Sequence, residues 1–151
     1  MSLRELYQEM IIDHGKQPRN YGTLPQANHI HAGHNPLCGD KLMLYVLAND
    51  GVVTDLRFEG SGCAISVASA SLMTESIKGK SLADVETIFN MFHQLVTNGE
   101  TLADAEKLGK LAIFAGVAEF PMRVKCASLS WHTLMAALKN DPNPVSTENE
   151  K

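Results

Sequence analysis

Residues 41–60 read KLMLYVLANDGVVTDLRFEG, and their pattern decides the fold. Leu42, Leu44 and Val46 alternate with Lys41, Met43 and Tyr45, the period of two that a strand with one buried face requires. Asn49-Asp50-Gly51 follows, residue types that tolerate positive φ in a tight turn. The alternation then resumes, with Thr54, Leu56 and Phe58 on one face and Asp55, Arg57 and Glu59 on the other. The stretch predicts a β-hairpin.

Toward the N-terminus, Leu3, Leu6, Tyr7, Met10 and Ile11 recur at helical spacing and predict a helix to about His14, ended by Gly15, Pro18 and Asn20. A further strand is expected over His29 to Ala32. Beyond the hairpin the period changes after Gly60-Ser61-Gly62. Cys63 to Lys78, rich in Ala and Ser, predicts a closely packed helix with Ile65, Ala68, Leu72 and Met73 on one face. Ser81 with Asp84, and Thr101 with Asp104, are capping patterns that predict two more helix starts. Pro121 breaks the chain, and Ala127, Trp131, Leu134, Met135 and Leu138 mark a last helix. Pro142, Pro144 and polar neighbours predict a disordered tail over 140–151. The expectation is a single α+β domain over 1–139, with helices covering one face of a small antiparallel sheet.

The chain has 151 residues, 44% of them apolar, enough for one hydrophobic core. Its formal charge of −4 comes without any basic block, which argues against nucleic-acid binding. No apolar run approaches the roughly 18 residues of a membrane span. The opening MSLRELYQEMIIDHG has no signal-peptide core, so a cytoplasmic protein without membrane partners is expected. Three cysteines, an odd number set far apart, do not make a disulfide framework. They are either structural thiols or chemistry.

Their settings leave both open, with chemistry the sharper alternative. Cys38 lies in NPLCGD, where Pro36 and Gly39 shape a loop and Asp40 follows at once. A carboxylate beside a thiol raises its pKa, so the pair is better suited to bind a cation than to act as nucleophile and base. Taken alone, C-G-D reads first as a turn. Cys63 follows Gly60-Ser61-Gly62 at a helix start, where free N–H groups favour a thiolate. Cys126 enters the last helix in RVKCASLSWH, beside Arg123 and Lys125. All three stand at element boundaries, and with Asp40 they make a four-ligand set suited to tetrahedral Zn²⁺ or to a labile iron–sulfur cluster. His29, His31 and His34 form an H-x-H-x-x-H run that reads as exposed histidines before it reads as a ligand set, since no carboxylate partner is nearby. His14 and His93 are expected at the surface, and His132 off the apolar face of its helix.

NPLCGD, FEGSGCAIS and RVKCASLSWHTL together resemble the three cysteine motifs of the NifU/IscU-type assembly proteins, and more closely those of the SufU branch. The resemblance runs from LYQEMIIDHGKQPRNYG to the last helix. It implies a three-stranded antiparallel sheet with helices packed on one face, the SufE/NifU/IscU-like fold. Scaffold-type members carry a histidine before the third cysteine, where this chain has Lys125, and a proline-proline motif where it reads EFPMRVKC. The interval from Cys63 to Cys126 is also longer. By resemblance, Cys38, Asp40, Cys63 and Cys126 bind Zn²⁺, and Cys38 takes persulfide sulfur from a pyridoxal-phosphate-dependent cysteine desulfurase of the SufS type. Arg123 is a weaker candidate for assisting docking or transfer. The chain would then be a sulfurtransferase-like carrier rather than a turnover enzyme, working with other cluster-assembly proteins. The alternative is a scaffold holding a transient [2Fe–2S] cluster on the same four residues. A purely structural zinc domain is a third reading. A cysteine hydrolase lacks the histidine base it would need.

Overall fold

A computed structural model describes residues 3–99 and 108–147. Helix α1 (Leu3–Lys16) leads into strands β1 (His29–Asn35), β2 (Asp40–Asn49) and β3 (Val52–Ser61). Helices α2 (Ala64–Ile77) and α3 (Leu82–Asn98), a 3₁₀ helix (Gly109–Glu119), helix α4 (Pro121–Leu138) and a short strand β4 (Val145–Ser146) complete the order. The sheet runs β3-β2-β1-β4, antiparallel except for the parallel β1–β4 pair.

The α+β class holds, but the sheet has four strands where three were expected. The fourth comes from the segment expected to be disordered: Val145 and Thr147 are buried, and Val145 pairs with Gly33. The tail residues beyond 147, and the Thr101–Asp104 capping pattern, lie outside the described residues.

The hairpin forms as its alternation requires, with Leu42, Leu44, Val46, Leu56 and Phe58 buried. Its far end departs by one residue. A register shift at Leu47/Ala48 buries Val53 and leaves Thr54 exposed, with its hydroxyl donating to the Leu47 carbonyl at 3.0 Å. An extra residue in one strand flips every side chain beyond it to the other face.

Helix α2 is buried from Ala68 through Thr74, on more faces than one apolar stripe provides, because it lies between α1, α4 and β3. Its small side chains permit this, and Ser71 and Thr74 find hydrogen-bond partners inside. Ser81 caps α3 as its motif predicts, accepting from the Asp84 N–H. Pro121 takes the first position of α4, where its missing N–H costs nothing. The 3₁₀ helix follows its own apolar period, with Leu108, Leu111, Phe114 and Val117 buried at every third residue. Helix α4 lies against β1 and β2, and Trp131 stacks on Phe92 of α3 at 4.5 Å.

The histidines need correcting. His14 is 2% exposed, with Nδ1 2.7 Å from Ser71 Oγ. His93 is half-buried and stacks on Phe89, and His132 meets both rings edge-on. In β1, His31 is buried and His34 exposed. Strand alternation therefore splits the run, and His29, His31 and His34 do not form a ligand set. Among the described residues, no helix is long and apolar enough to cross a membrane.

Candidate metal centre

The site is built at one end of the sheet. Asn35 and Asp40 are the last pair of the β1–β2 ladder, so their side chains share the buried face. The four residues 36–39 between them form the turn that carries Cys38, with Gly39 at φ +69°. The next pair along, Lys41 with Ser61, brings the end of β3 beside Asp40. Gly62 then runs so close that a Cβ would overlap the Asp40 carboxylate, at a φ of +139°. The chain can therefore enter α2 with Cys63 against Asp40. Helix α4, packed on β1, supplies Cys126 from its second turn.

Cys38, Asp40 and Cys126 each offer one ligand atom, and these lie within 4.8 Å of one another. The Cys126 thiol lies 3.3 Å from Cys38 Sγ. Cys63 Sγ is 3.9 Å from Asp40 Oδ2, and its N–H donates to Asp40 Oδ1 at 2.8 Å. All four residues expected from the sequence thus converge, three in one tight group and Cys63 on its edge. Asp40 and Cys126 are buried, whereas Cys38 and Cys63 are half-exposed.

Without a cation these donors share protons. A hydrogen bond from the Cys126 thiol holds Cys63 down at about 7, against its burial and with help from the first-turn N–H groups of Ser66 and Ile65. Cys126 is pushed far up, by donating to Cys63, by burial and by its contact with Cys38. Three thiols and a buried carboxylate, with no Lys or Arg in the group, fit a soft divalent cation that would hold every thiol ionised.

The sequence did not single out Asn35, Thr147 or Tyr7 for this site. Asn35 is fully buried and donates through Nδ2 to Asp40 Oδ2 at 3.0 Å and to Cys126 Sγ at 3.4 Å. Thr147 donates to Asn35 Oδ1 at 2.8 Å. Beside Pro36, an asparagine reads simply as a turn former. Tyr7 of α1 has a buried hydroxyl without a hydrogen-bond partner among the described residues. Burial raises its pKa, Arg123 opposes this, and negative charge at Cys63 adds to it. Arg123 lies outside the ligand group, with its guanidinium 4.3 Å over the Phe120 ring. Tyr7, Phe120 and Arg123 line a cavity with Ile113 and Val117.

The NifU-like N terminal domain model matches residues 6–127. The iron-sulfur cluster assembly scaffold protein IscU of Streptococcus pyogenes serotype M1 is 38% identical over 141 residues, covering 93% of this chain and 87% of its own length. The zinc-dependent sulfurtransferase SufU of Bacillus subtilis is 41% identical over 133 residues, covering 88% and 89%. The crystal structure of a putative iron-sulfur cluster assembly scaffold protein for the SUF system from Fervidobacterium islandicum superposes with a TM-score of 0.82 at 36% identity, over 89% of this chain and 98% of that one. With a four-donor cluster at the end of this sheet and these relatives spanning nearly its whole length, the chain belongs to the NifU-like N-terminal domain family.

Proposed function

We propose that this chain works in iron–sulfur cluster assembly as a zinc-bound sulfur acceptor, with Cys38, Asp40, Cys63 and Cys126 sharing the ion and Cys38 receiving the sulfur. The observation that carries this reading is the position of Cys38. It is a half-exposed thiol on a four-residue turn, next to the exposed Leu37, with its sulfur 3.3 Å from the buried Cys126. Asp40 and Cys126, by contrast, are held in a strand and a helix. A donor on a turn can leave the group and meet an incoming protein without disturbing the core.

Zinc at this site would keep the thiols ionised at neutral pH and shield them from oxidation. In the transfer, the Cys38 thiolate attacks the outer sulfur of a persulfide on a pyridoxal-phosphate-dependent cysteine desulfurase. A Cys38 S–S bond forms, the donor's S–S bond breaks, and the donor cysteine leaves as its thiolate, so no outside oxidant or reductant is consumed. The half-exposure of Cys38 lets a partner reach it, and Arg123 on the nearby cavity offers a cation for docking.

The second reading, a scaffold for a transient [2Fe–2S] cluster, is supported by the scaffold name of the Streptococcus relative. Lys125, where scaffold-type members carry histidine, counts against it. The test is elemental analysis and visible absorption on protein purified without oxygen, followed by a desulfurase assay. One equivalent of zinc, no colour, and desulfurase stimulation that Cys38→Ala abolishes would support sulfur acceptance. Bound iron and sulfide with a brown colour would replace it with the scaffold. Stimulation retained by Cys38→Ala would sink the transfer step.

A further inference from the structure

We infer that Thr147 is a positioning residue for the cysteine–carboxylate site, acting through Asn35, and that the C-terminal segment 140–147 is therefore a working part of that site. The metal-binding half of this inference rests on the function proposed above; the hydrogen-bond half does not.

The segment runs alongside β1 and is held at successive points. His29 Nδ1 meets Asn140 Oδ1 at 3.0 Å, and His31 Nε2 meets the Asn143 carbonyl at 2.8 Å. Gly33 then pairs with Val145, and Asn35 accepts from Thr147 at 2.8 Å. Every second residue of β1, from His29 to Asn35, thus holds one point of the segment. Two members of the histidine run therefore serve to pin the C-terminal segment with their rings.

The end of this zipper decides how Asn35 faces. A side-chain amide has an oxygen that only accepts and a nitrogen that only donates. The carboxylate of Asp40 and the sulfur of Cys126 need the donor end, and Asn35 Nδ2 supplies both. Its oxygen must then face a donor, and the Thr147 hydroxyl is that donor. Asn35 is fully buried and Thr147 is 1% exposed, so water does not readily take over either role. Without the hydroxyl, Oδ1 is left unpaired, and turning the amide over would set its lone pairs against the Asp40 carboxylate. Hydrogen bonds to ligating groups typically change metal affinity 10- to 100-fold when lost.

The test uses the full chain with Thr147→Val, which keeps the shape and removes the hydroxyl, and Thr147→Ser, which restores it. Zinc affinity is measured by chelator competition, and alkylation of Cys126 is followed in the reduced, metal-free protein. Thr147→Val should weaken zinc binding about tenfold and change the alkylation rate of Cys126, whose sulfur loses a fixed donor, and Thr147→Ser should recover both. Parent-like affinity and alkylation in Thr147→Val would overturn the inference, as would equal losses in the two variants. Should the parent chain bind no zinc, the proposed function falls, while the alkylation rates still decide the role of Thr147.

Discussion

Asn35 and Asp40 face each other as the closing pair of the β1–β2 hairpin, joined by an Asn35 Nδ2 to Asp40 Oδ2 hydrogen bond of 3.0 Å. The turn that carries Cys38 is therefore anchored at both ends by buried polar side chains. Asn35→Ala leaves Asp40 Oδ2, Cys126 and the Thr147 hydroxyl without this partner. Urea unfolding of the metal-free protein should show a loss of about 1–3 kcal/mol, the cost of orphaning a buried polar group. An unchanged midpoint and slope would mean that water replaces the amide.

Gly62 tests how closely the backbone must pass Asp40. Its φ of +139° and the overlap awaiting a Cβ act together. Gly62→Ala should lose roughly 1–3 kcal/mol from backbone strain and also weaken zinc binding, because Asp40 has to move. Gly51→Ala is the control, with a φ of +76° and open space around it. It should lose stability alone. Equal zinc affinity in the two variants would show that Asp40 is not crowded at Gly62.

How far the sequence revealed all this depended on whether a signal was periodic or tertiary. The hairpin was legible because Leu42, Leu44, Val46, Leu56 and Phe58 alternate, and the cysteines because each stands beside a glycine, a proline or charge at an element boundary. The bulge at Thr54 was not, since one inserted residue leaves composition unchanged. The three-residue spacing of Leu108, Leu111, Phe114 and Val117 was there to be read as 3₁₀. Asn35 and Thr147 carried no such mark. A polar residue in a proline-flanked loop or a polar tail looks solvated until the fold brings its partner to it. His14 looks exposed in the sequence for the same reason, because Ser71 lies far along the chain.

His14 gives the fold a pH dependence of known sign. Burial lowers its pKa, with Arg19 and then Lys110 adding to this, while Glu75 and Asp13 oppose it. The unfolded chain therefore binds the proton more readily than the native one. Stability carried by neutral His14 is complete above about pH 6.5 and is lost as pH falls from there toward the lowered native value. Unfolding free energies of the metal-free protein at about pH 7.5 and about pH 5.5, on either side of the ordinary histidine value of about 6.5, should differ in that direction, and His14→Gln should reduce the difference. A profile that His14→Gln leaves untouched would assign the dependence to other groups.

A variant at Arg123 tests the proposed docking apart from the proposed metal binding. Its guanidinium rests on Phe120, outside the group of candidate ligands, so Arg123→Ala should hold zinc affinity within about twofold, the ±0.5 kcal/mol usual for a surface change. If the cavity it lines with Tyr7 and Phe120 receives the sulfur donor, desulfurase stimulation should fall in the same variant, most steeply at low salt. A variant that loses zinc as well would place Arg123 in the metal site rather than on its rim.

Under the proposed function, Asp40 links stability to metal. Its carboxylate accepts from the Cys63 N–H and from Asn35, and it is fully buried, so Asp40→Ala should cost the metal-free protein about 1–3 kcal/mol. That is more than a turn carboxylate would cost, because the residue belongs to β2 and not to the turn. Its larger effect should appear with zinc present. Free zinc at about 100 times the dissociation constant adds about 2.7 kcal/mol to the stability of a protein that binds it only when folded. A tenfold weaker site leaves about 1.4 kcal/mol at the same zinc concentration. Unfolding the parent and Asp40→Ala with and without buffered zinc measures both increments. If the increments match while the metal-free stabilities differ, Asp40 serves the fold and the metal has other ligands.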